Sequence, residues 1–363
     1  MITTKSRSVT VSITYKTKDI TKDIAPYLTA FTFTDNAGSS SDDISFSLMD
    51  REGLWLDSWF PSKGDKITCS ILADDLTALS LPCGVYEVDQ IDYSCPPKSI
   101  TIKAVSTAVS KGMKSEKHSK AWENTGLKQI AADIANDHGL SLYFDADDVL
   151  IERREQITSS DLDFISALCD DFDLNVKVNE GKLIIYDDEL NDSKQSSAEI
   201  QSDDTKLINW HFSTKAANIY KSANVSYHNA AKNQTFQAQE TDDSVEGSER
   251  ILNIHEYAEN QAQAKTIARK KLLQANRREI TGTITLMGDM RFRAGSNITL
   301  SGFGAFDGKY SITKAVHSVG NGYTTALELK QGTEAKKAAK KKKAKQQTPQ
   351  MGYYTGDKYY SKE

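Results

Sequence analysis

The chain has 363 residues, of which 38% are hydrophobic and 26% are charged, and it contains only 6 Pro. This composition excludes a disordered or collagen-like chain, and the length excludes a single small domain because hydrophobic cores stop growing beyond roughly 250–300 residues. The net charge is −5, but residues 334–363 hold nine Lys and three acidic residues, and that local +6 leaves −11 on residues 1–333.

The amino terminus, Met1–Arg7, lacks the apolar stretch of a secretory signal. No apolar run reaches the roughly 18 residues that a membrane helix requires, so we expect cytosolic folding and no membrane insertion. The cysteines Cys69, Cys83, Cys95 and Cys169 form no metal-binding or redox spacing. We therefore expect all four to be buried free thiols, since reduced Cys packs like a small apolar residue.

Three short blocks from the first third of the chain recur in the same order near its end. They are Ser45–Asp50 with Thr283–Asp289, Gly64–Cys69 with Gly295–Leu300, and Gly84–Val88 with Gly308–Ile312. In the second and third pairs, a glycine turn precedes a strand of alternating β-branched or aromatic residues. Common strand patterns explain any one match but not three in order. The sequence thus predicts two similar antiparallel β-barrels, at residues 1–106 and 205–333.

Between these regions the spacing of apolar residues changes from every second residue, as in strands, to every 3.6 residues, as in helices. Apolar residues from Leu127 to Ala135 mark one face of a helix that ends at Gly139, and a strand, Leu140–Phe144, follows. Ser160–Asp163 resembles a capping box and opens a second helix. Two short strands at 174–178 and 183–186 complete a predicted α+β domain over residues 107–204.

A third helix, predicted at Ala258–Asn276, interrupts the second barrel in the chain. Helices and strands are segregated rather than alternating, which disfavours a doubly wound nucleotide-binding sheet. The predicted fold class is α+β, dominated by β, with a basic tail at residues 334–363.

Motifs for catalysis or cofactors are weak throughout the chain. No nucleophile-elbow, zinc-protease or P-loop motif occurs, and the six histidines are well separated. Gly302–Asp307 lacks the third glycine of a dinucleotide fingerprint, and Asp145–Asp148 lacks the glycine and glutamate of a calcium loop. The acidic run Asp170–Asp173 offers no acid–base geometry. We predict no enzyme activity, no catalytic residue, no cofactor and no metal site.

The carboxyl-terminal segment is the candidate partner-binding site. Its basic and aromatic residues are Lys336, Lys337, Lys340, Lys341, Lys342, Lys343, Lys345, Tyr353, Tyr354, Tyr359 and Tyr360. The lysines suit nucleic acid or an acidic protein surface equally, and tyrosines are common in interfaces. A solvated linker without a partner is the remaining alternative.

Several segments together resemble the late control D, or tail hub, family of contractile-tailed phages. They include Gly84–Ile91, Cys95–Ile100, Trp122 with Leu127–Ala131, Gln156 with Ser159–Phe164, and Phe306–Tyr310 with His317 and Gly322–Thr325. The likeness extends to about Lys330. The tail beyond Thr333 departs from the family pattern, and no fused spike or lysozyme-like domain is recognised.

The resemblance implies a virion component: a structural homotrimer at the tip of the tail tube, in a phage or in a phage-tail-like bacteriocin. Its implied partners are the central spike protein, the tail tube or tube-initiator protein, and the baseplate wedge and tape measure proteins. It implies assembly in the bacterial cytoplasm. Two alternatives remain, a tail-associated cell-wall-degrading enzyme and a nucleic-acid- or glycan-binding protein.

Overall fold

The computed structural model describes most of the chain up to residue 332 and a short hairpin beyond it. The described residues are 8–38, 40–74, 79–107, 111–179, 181–215, 219–229, 233–245, 247–258, 260–277, 279–332, 353–355 and 358–360. The Lys-rich run predicted to bind a partner lies outside these residues.

The first unit is almost entirely strand. Its elements are β1 (Ser8–Tyr15), β2 (Lys18–Asp19), α1 (Thr21–Ile24), β3 (Leu28–Asn36), β4 (Asp43–Met49), a 3₁₀ turn (Leu54–Leu56), β5 (Lys66–Asp74), β6 (Leu79–Ser94) and β7 (Ser99–Ser106). In β4 the alternate side chains Ile44, Phe46 and Leu48 are buried, as a strand with one face on a core requires.

Helices and strands mix in the middle unit. Its elements are α2 (Lys111–Ser115), β8 (Lys117–Gly126), α3 (Leu127–Asp137), β9 (Ser141–Asp145), β10 (Leu150–Ser160), α4 (Asp161–Asp170), β11 (Leu174–Asn179), β12 (Lys182–Asp187) and α5 (Asp188–Ser193). The predicted helices are confirmed, and Ser160 caps α4 by accepting a 3.1 Å hydrogen bond from the Asp163 backbone N–H.

The rest of the chain forms a second strand unit with an insertion. Its elements are β13 (Ala198–Gln201), β14 (Leu207–Thr214), β15 (Ser222–Asn229), β16 (Gln234–Thr241), β17 (Ile251–Ile254), α6 (Gln261–Asn276), β18 (Ile280–Met287), β19 (Asn297–Ser301), a 3₁₀ turn (Gly304–Phe306), β20 (Gly308–Gly320), β21 (Gly322–Gln331), β22 (Tyr353–Thr355) and β23 (Lys358–Tyr360). The β-dominated α+β class is confirmed.

The two strand units share one hydrogen-bonding order. In the first it is β3–β4–β7–β6–β5–β1, and in the second it is β14–β18–β21–β20–β19–β13. When the six strands of each unit are numbered in chain order, both hydrogen-bonding orders read 2-3-6-5-4-1. The units differ at one end, where β1 is antiparallel to β5 but β13 is parallel to β19. That both units are closed barrels stays a prediction.

The likeness extends to irregularities of register. The β6–β7 ladder shifts between Val88 and Gln90, and the β20–β21 ladder shifts between Ile312 and Lys314. A second pair of shifts falls at the start of β3 and at the start of β14. Because a bulge re-aims every later side chain, the two matched bulges indicate that the strands that carry them are equivalent, whereas the shift between Cys69 and Ser70 in the β5–β6 ladder has no counterpart in the β19–β20 ladder.

Two of the repeated blocks carry matching special residues. Gly64 and Gly295 both have φ +83°, a left-handed conformation that glycine adopts without steric cost. Tyr86 and Tyr310 are both fully buried, and each hydroxyl donates to a carbonyl three or four residues upstream, Cys83 or Phe306. The repeat found in the sequence therefore occupies equivalent structural positions.

Strands of both units belong to one 13-stranded sheet, because β3 of the first pairs with β20 of the second. Each unit keeps its own hydrophobic cluster. The helix predicted at 258–276 begins slightly later, at Gln261, after the Asn260 cap. With β15–β17 it contributes to the core of the middle unit. Residues 215–279 are thus an insertion in the second unit that packs elsewhere.

Three of the four cysteines, Cys69, Cys83 and Cys169, are buried free thiols as expected. The expectation is wrong for Cys95, which is exposed because it follows the end of β6 in a turn. In the described part of the chain, no helix is both long and apolar enough to cross a membrane.

Candidate assembly interface

The contact between the two strand units, here called the repeat junction, joins residues 31–36 of β3 to residues 314–319 of β20. Six antiparallel pairs form it, from Phe31 opposite Val319 to Asn36 opposite Lys314. At its centre His317 lies opposite Phe33, with the two rings stacked at 5.9 Å between centroids and both side chains buried. Backbone pairing and aromatic packing thus join the units.

Both ring nitrogens of His317 are engaged within the fold. Nδ1 lies 2.8 Å from the Tyr323 hydroxyl and Nε2 lies 3.0 Å from the Phe292 carbonyl oxygen. A ring that donates from Nε2 and accepts at Nδ1 is neutral. Burial favours the same state and lowers the pKa of His317 to about 4.

Asp35 ties the repeat junction to two other parts of the molecule. One carboxylate oxygen lies 2.5 Å from the Lys177 ammonium of β11, and the other accepts a 3.0 Å hydrogen bond from the Ala294 backbone N–H. Lys177 is also 3.2 Å from Asp42. Because these charged groups are almost fully buried, they hold β3, the middle unit and the loop before β19 in one arrangement.

A second buried charge cluster joins the insertion to the rest. Arg277, which follows α6 and is 2% exposed, lies 2.8 Å from Asp173, 3.5 Å from Asp188 and 3.8 Å from Asp192. Lys330 of β21 also pairs with Asp188. Three acids around one guanidinium stay compensated only while these elements remain docked.

Two of the strand edges in the large sheet that have no strand partner within the described residues are relevant to assembly. One is the outer edge of β14, which pairs only with β18. The other is the last part of β6, residues 90–94, which pairs with β7 on one side only, since β5 ends its pairing at Glu87. On β14, Ile208 is 52% exposed and Trp210 is 47% exposed. Unpaired edges with exposed apolar residues readily accept a further strand.

Of the residues predicted to bind a partner, Lys336, Lys337, Lys340, Lys341, Lys342, Lys343 and Lys345 lie outside the described residues. The four tyrosines fall in the β22–β23 hairpin, where Tyr353 is the backbone partner of Tyr360 and Tyr354 of Tyr359. The predicted binding role of this segment stays a prediction.

Sequence reasoning missed the edges and the charge clusters. Asp173 belonged to an acidic run with no assigned contact, and its partner Arg277 lies 104 residues away. The apolar Ile208 and Trp210 in a polar stretch were the available signal for the β14 edge. Nothing local marked Phe33 and His317 as neighbours.

Some side chains of types used in catalysis make structural contacts. His138 lies 2.8 Å from Asp161, which also accepts a 2.8 Å hydrogen bond from Gln156. Across the stretches of chain that the structure covers, no group of three or more His, Cys, Asp or Glu is placed to hold a metal ion. Gly302 sits in a turn before β20 rather than before a phosphate-binding helix.

Comparison with known proteins gives consistent matches. The family model described as phage tail baseplate hub (GPD) matches residues 107–323. Two probable baseplate hub proteins are similar, one of Escherichia phage 186 (26% identical over 47% of this chain and 43% of that protein) and one of Escherichia phage P2 (29% over 46% and 42%). The chain thus spans less than half the length of these relatives.

A solved tail protein from Neisseria meningitidis MC58 has a similar fold. Its TM-score is 0.68 at 11% identity, with 92% of this chain and 99% of that chain covered. At this identity the likeness establishes the architecture alone.

Proposed function

This chain belongs to the phage tail baseplate hub (GPD) family, and we propose that it is a structural hub protein of a tail baseplate. In this proposal three copies form a ring around the tail channel. The ring joins a six-fold tail tube to a three-fold central spike. Its further neighbours are the baseplate wedge and tape measure proteins.

The observation that carries the proposal is the matched pair of strand units. Two units with one strand order and two matched bulges supply two similar building blocks per chain. Three chains then supply six such blocks, so one ring presents six-fold contacts on one side and three-fold contacts on the other. A single unit per chain would offer only one of the two symmetries.

Charge supports a role around a channel. Residues 1–333 carry −11, whereas the segment from Glu334 to Glu363 carries +6. An acidic wall repels DNA or an acidic tape protein and lets it pass instead of retaining it. The basic segment is suited to an acidic surface of a neighbouring baseplate protein.

We propose that the hub is not itself an enzyme. His317 and Asp35 contact neighbouring groups at the repeat junction, and Ser160 caps α4, so these polar groups have structural roles. Purified chain should produce no clearing of isolated cell walls. Clearing above a boiled control would favour the cell-wall-degrading alternative.

The decisive test of the proposed function is the number of copies in the assembly. Mass measurement of the chain in complex with its spike and tube partners should give three copies per spike. A chain that stays monomeric with both partners present contradicts the ring. Enzymatic clearing and copy number are independent readouts, so each alternative is tested separately.

A further inference from the structure

Two of the open strand edges, that of β14 and that of residues 90–94 of β6, correspond to the two strands of the repeat junction. We propose that residues 90–94 of β6 in one copy pair antiparallel with β14 of the next copy, in the register that joins β20 to β3 within the chain. The inference rests on the proposed ring and specifies the surface that closes it.

The equivalence follows from the ladders. In the β3–β4 ladder Phe33 lies opposite Ile44. In the β14–β18 ladder Phe212 lies opposite Gly282, which is the residue of β18 that matches Ile44. Strand β14 is therefore the counterpart of β3. The bulges of the two long strands align Gln90 with Lys314, and thereby residues 90–94 with residues 314–318 of β20.

Side chains on the open edges are more exposed than their counterparts at the repeat junction. Phe31 at the repeat junction is 0% exposed, whereas its counterpart Trp210 on the open edge is 47% exposed. His317 is likewise 0% exposed under Phe33, whereas its counterpart Tyr93 is only partly buried. The open edges carry side chains that the same junction covers elsewhere in the molecule.

The turn that precedes the junction is also repeated. The Gly64 backbone N–H donates a 2.8 Å hydrogen bond to the Val88 carbonyl, and the Gly295 N–H donates the same bond, also 2.8 Å, to the Ile312 carbonyl. In each unit this bond ends the pairing with the shorter strand, β5 or β19. Beyond Ile312 the long strand pairs with β3; beyond Val88 the equivalent strand edge is open.

A second copy of this chain is the occupant that fits. The repeat junction is a head-to-tail contact between β20, which is equivalent to β6, and β3, which is equivalent to β14. Each chain therefore keeps one free edge of each kind, at residues 90–94 of β6 and on β14. Head-to-tail contacts generate a closed ring when their repeated rotation adds up to a full turn, as three copies related by a three-fold axis require. Transfer of the register predicts these partners across the interface: Gln90 with Lys215, Ile91 with Thr214, Asp92 with Ser213, Tyr93 with Phe212, and Ser94 with His211.

The register can be tested by disulfide trapping. In a Cys95→Ser background, which removes the exposed thiol, the double variant Asp92→Cys/Ser213→Cys places two thiols directly opposite each other. The equivalent pair within the chain is Val316 and Thr34. Mild oxidation of the assembled ring should convert most of the chain to covalent dimers and trimers on non-reducing gels.

Matched controls isolate the register and the polarity. Asp92→Cys/His211→Cys is two residues out of register on the same face, about 7–8 Å between Cβ atoms, and should give at least about tenfold less product because a disulfide requires roughly 3.5–4.5 Å. Each single variant alone should not crosslink. An equal mixture of the two single variants should give dimers but no trimers.

The outcomes separate this inference from the proposed function. A ring of three by mass without the Asp92–Ser213 crosslink overturns the strand junction and leaves the hub ring standing. A crosslinked ring with another copy number retains the junction and contradicts the trimer. Crosslinking of Ser213→Cys alone shows a symmetric β14 contact and overturns the inference. A monomer that forms no crosslink with its partners present contradicts both.

Discussion

At the scale of single residues, buried polar groups hold the units of the hub together. His317, Asp35 and Arg277 each contact side chains or backbone from more than one part of the fold. All three side chains are almost fully buried, so removal of one member of a contact leaves another buried charge or acceptor without compensation. Stability should therefore respond strongly to changes at these positions.

His317 should make the stability of the hub depend on pH. Its pKa is lowered by burial to about 4 from 6.5, so its contribution is fully present above pH 6.5 and is lost as the pH falls towards 4. Between pH 7 and pH 4 the unfolding free energy of the wild type should fall by about 3 kcal/mol more than that of His317→Gln. Chemical denaturation across this pH range measures the difference.

The matched variant is needed because Asp173 titrates in the opposite sense. Burial raises its pKa to about 7, so its contribution to stability is present at low pH and is lost as the pH rises from about 4 to 7. This dependence is common to the wild type and His317→Gln and cancels in their difference. Equal pH slopes for the two proteins would contradict the assignment to His317.

Arg277→Met should destabilise the hub by about 3–5 kcal/mol, because three acids then lose their buried partner. The loss would be measured by urea unfolding at pH 7. Arg153→Met is the matched control, since Arg153 pairs with Glu155 at 2.5 Å on the exposed surface. That control should leave the unfolding midpoint unchanged. Equal effects of the two variants would contradict a structural role for the Arg277 cluster.

At the scale of elements, the duplication could be predicted from sequence but the junction could not. Turn glycines such as Gly64 and Gly295, with the alternation that follows, are local signals. The helices were equally visible from period and caps. The pairing of β3 with β20 joins positions almost 300 residues apart with no local signal. The same holds for Arg277 and Asp173, whose partnership depends on how the insertion docks.

The β14–β18 pair contains a close approach that alanine cannot occupy. A Cβ added at Gly282 would lie 2.3 Å from Cδ1 of Phe212, so the ring packs directly over the glycine. Gly282→Ala should cost about 1–3 kcal/mol in unfolding free energy by overpacking. The exposed neighbour Thr283→Ala should change it by no more than about 0.5 kcal/mol.

Thermal unfolding of these two variants checks the β14–β18 prediction. A small effect of Gly282→Ala would mean that Phe212 moves away without loss. The first unit does not require glycine at the equivalent position, because Ile44 lies opposite Phe33 there.

At the scale of the whole molecule, the described hydrophobic clusters and the open edges all lie between residues 8 and 332. The basic segment at residues 334–363 differs from this body in composition. We therefore expect the proposed ring formation and the proposed partner binding to reside in different parts of the chain. This division follows the change in charge from −11 to +6 at residue 334.

Truncation after Thr333 should leave the melting temperature and the copy number of the proposed ring unchanged. It should reduce binding to acidic partners, with the largest loss at low salt because charge attraction is screened by ions. Calorimetry, mass measurement and salt-dependent retention on DNA and on the purified baseplate neighbours give the three readouts. A fall in melting temperature would show that the segment belongs to the folded body.

The insertion at 215–279 has a consequence for how the chain acquires its shape on the ribosome. Phe31 and Phe46 are 15 residues apart, whereas the equivalent partners Trp210 and Ile284 are 74 apart. Loop-closure entropy grows only logarithmically, so the longer detour costs roughly 1.4 kcal/mol. The insertion does, however, delay the pairing of β14 with β18 until β18 has been synthesised. The first strand unit is synthesised completely long before the second, so the edge of β3 is available when β20 emerges and pairs with it.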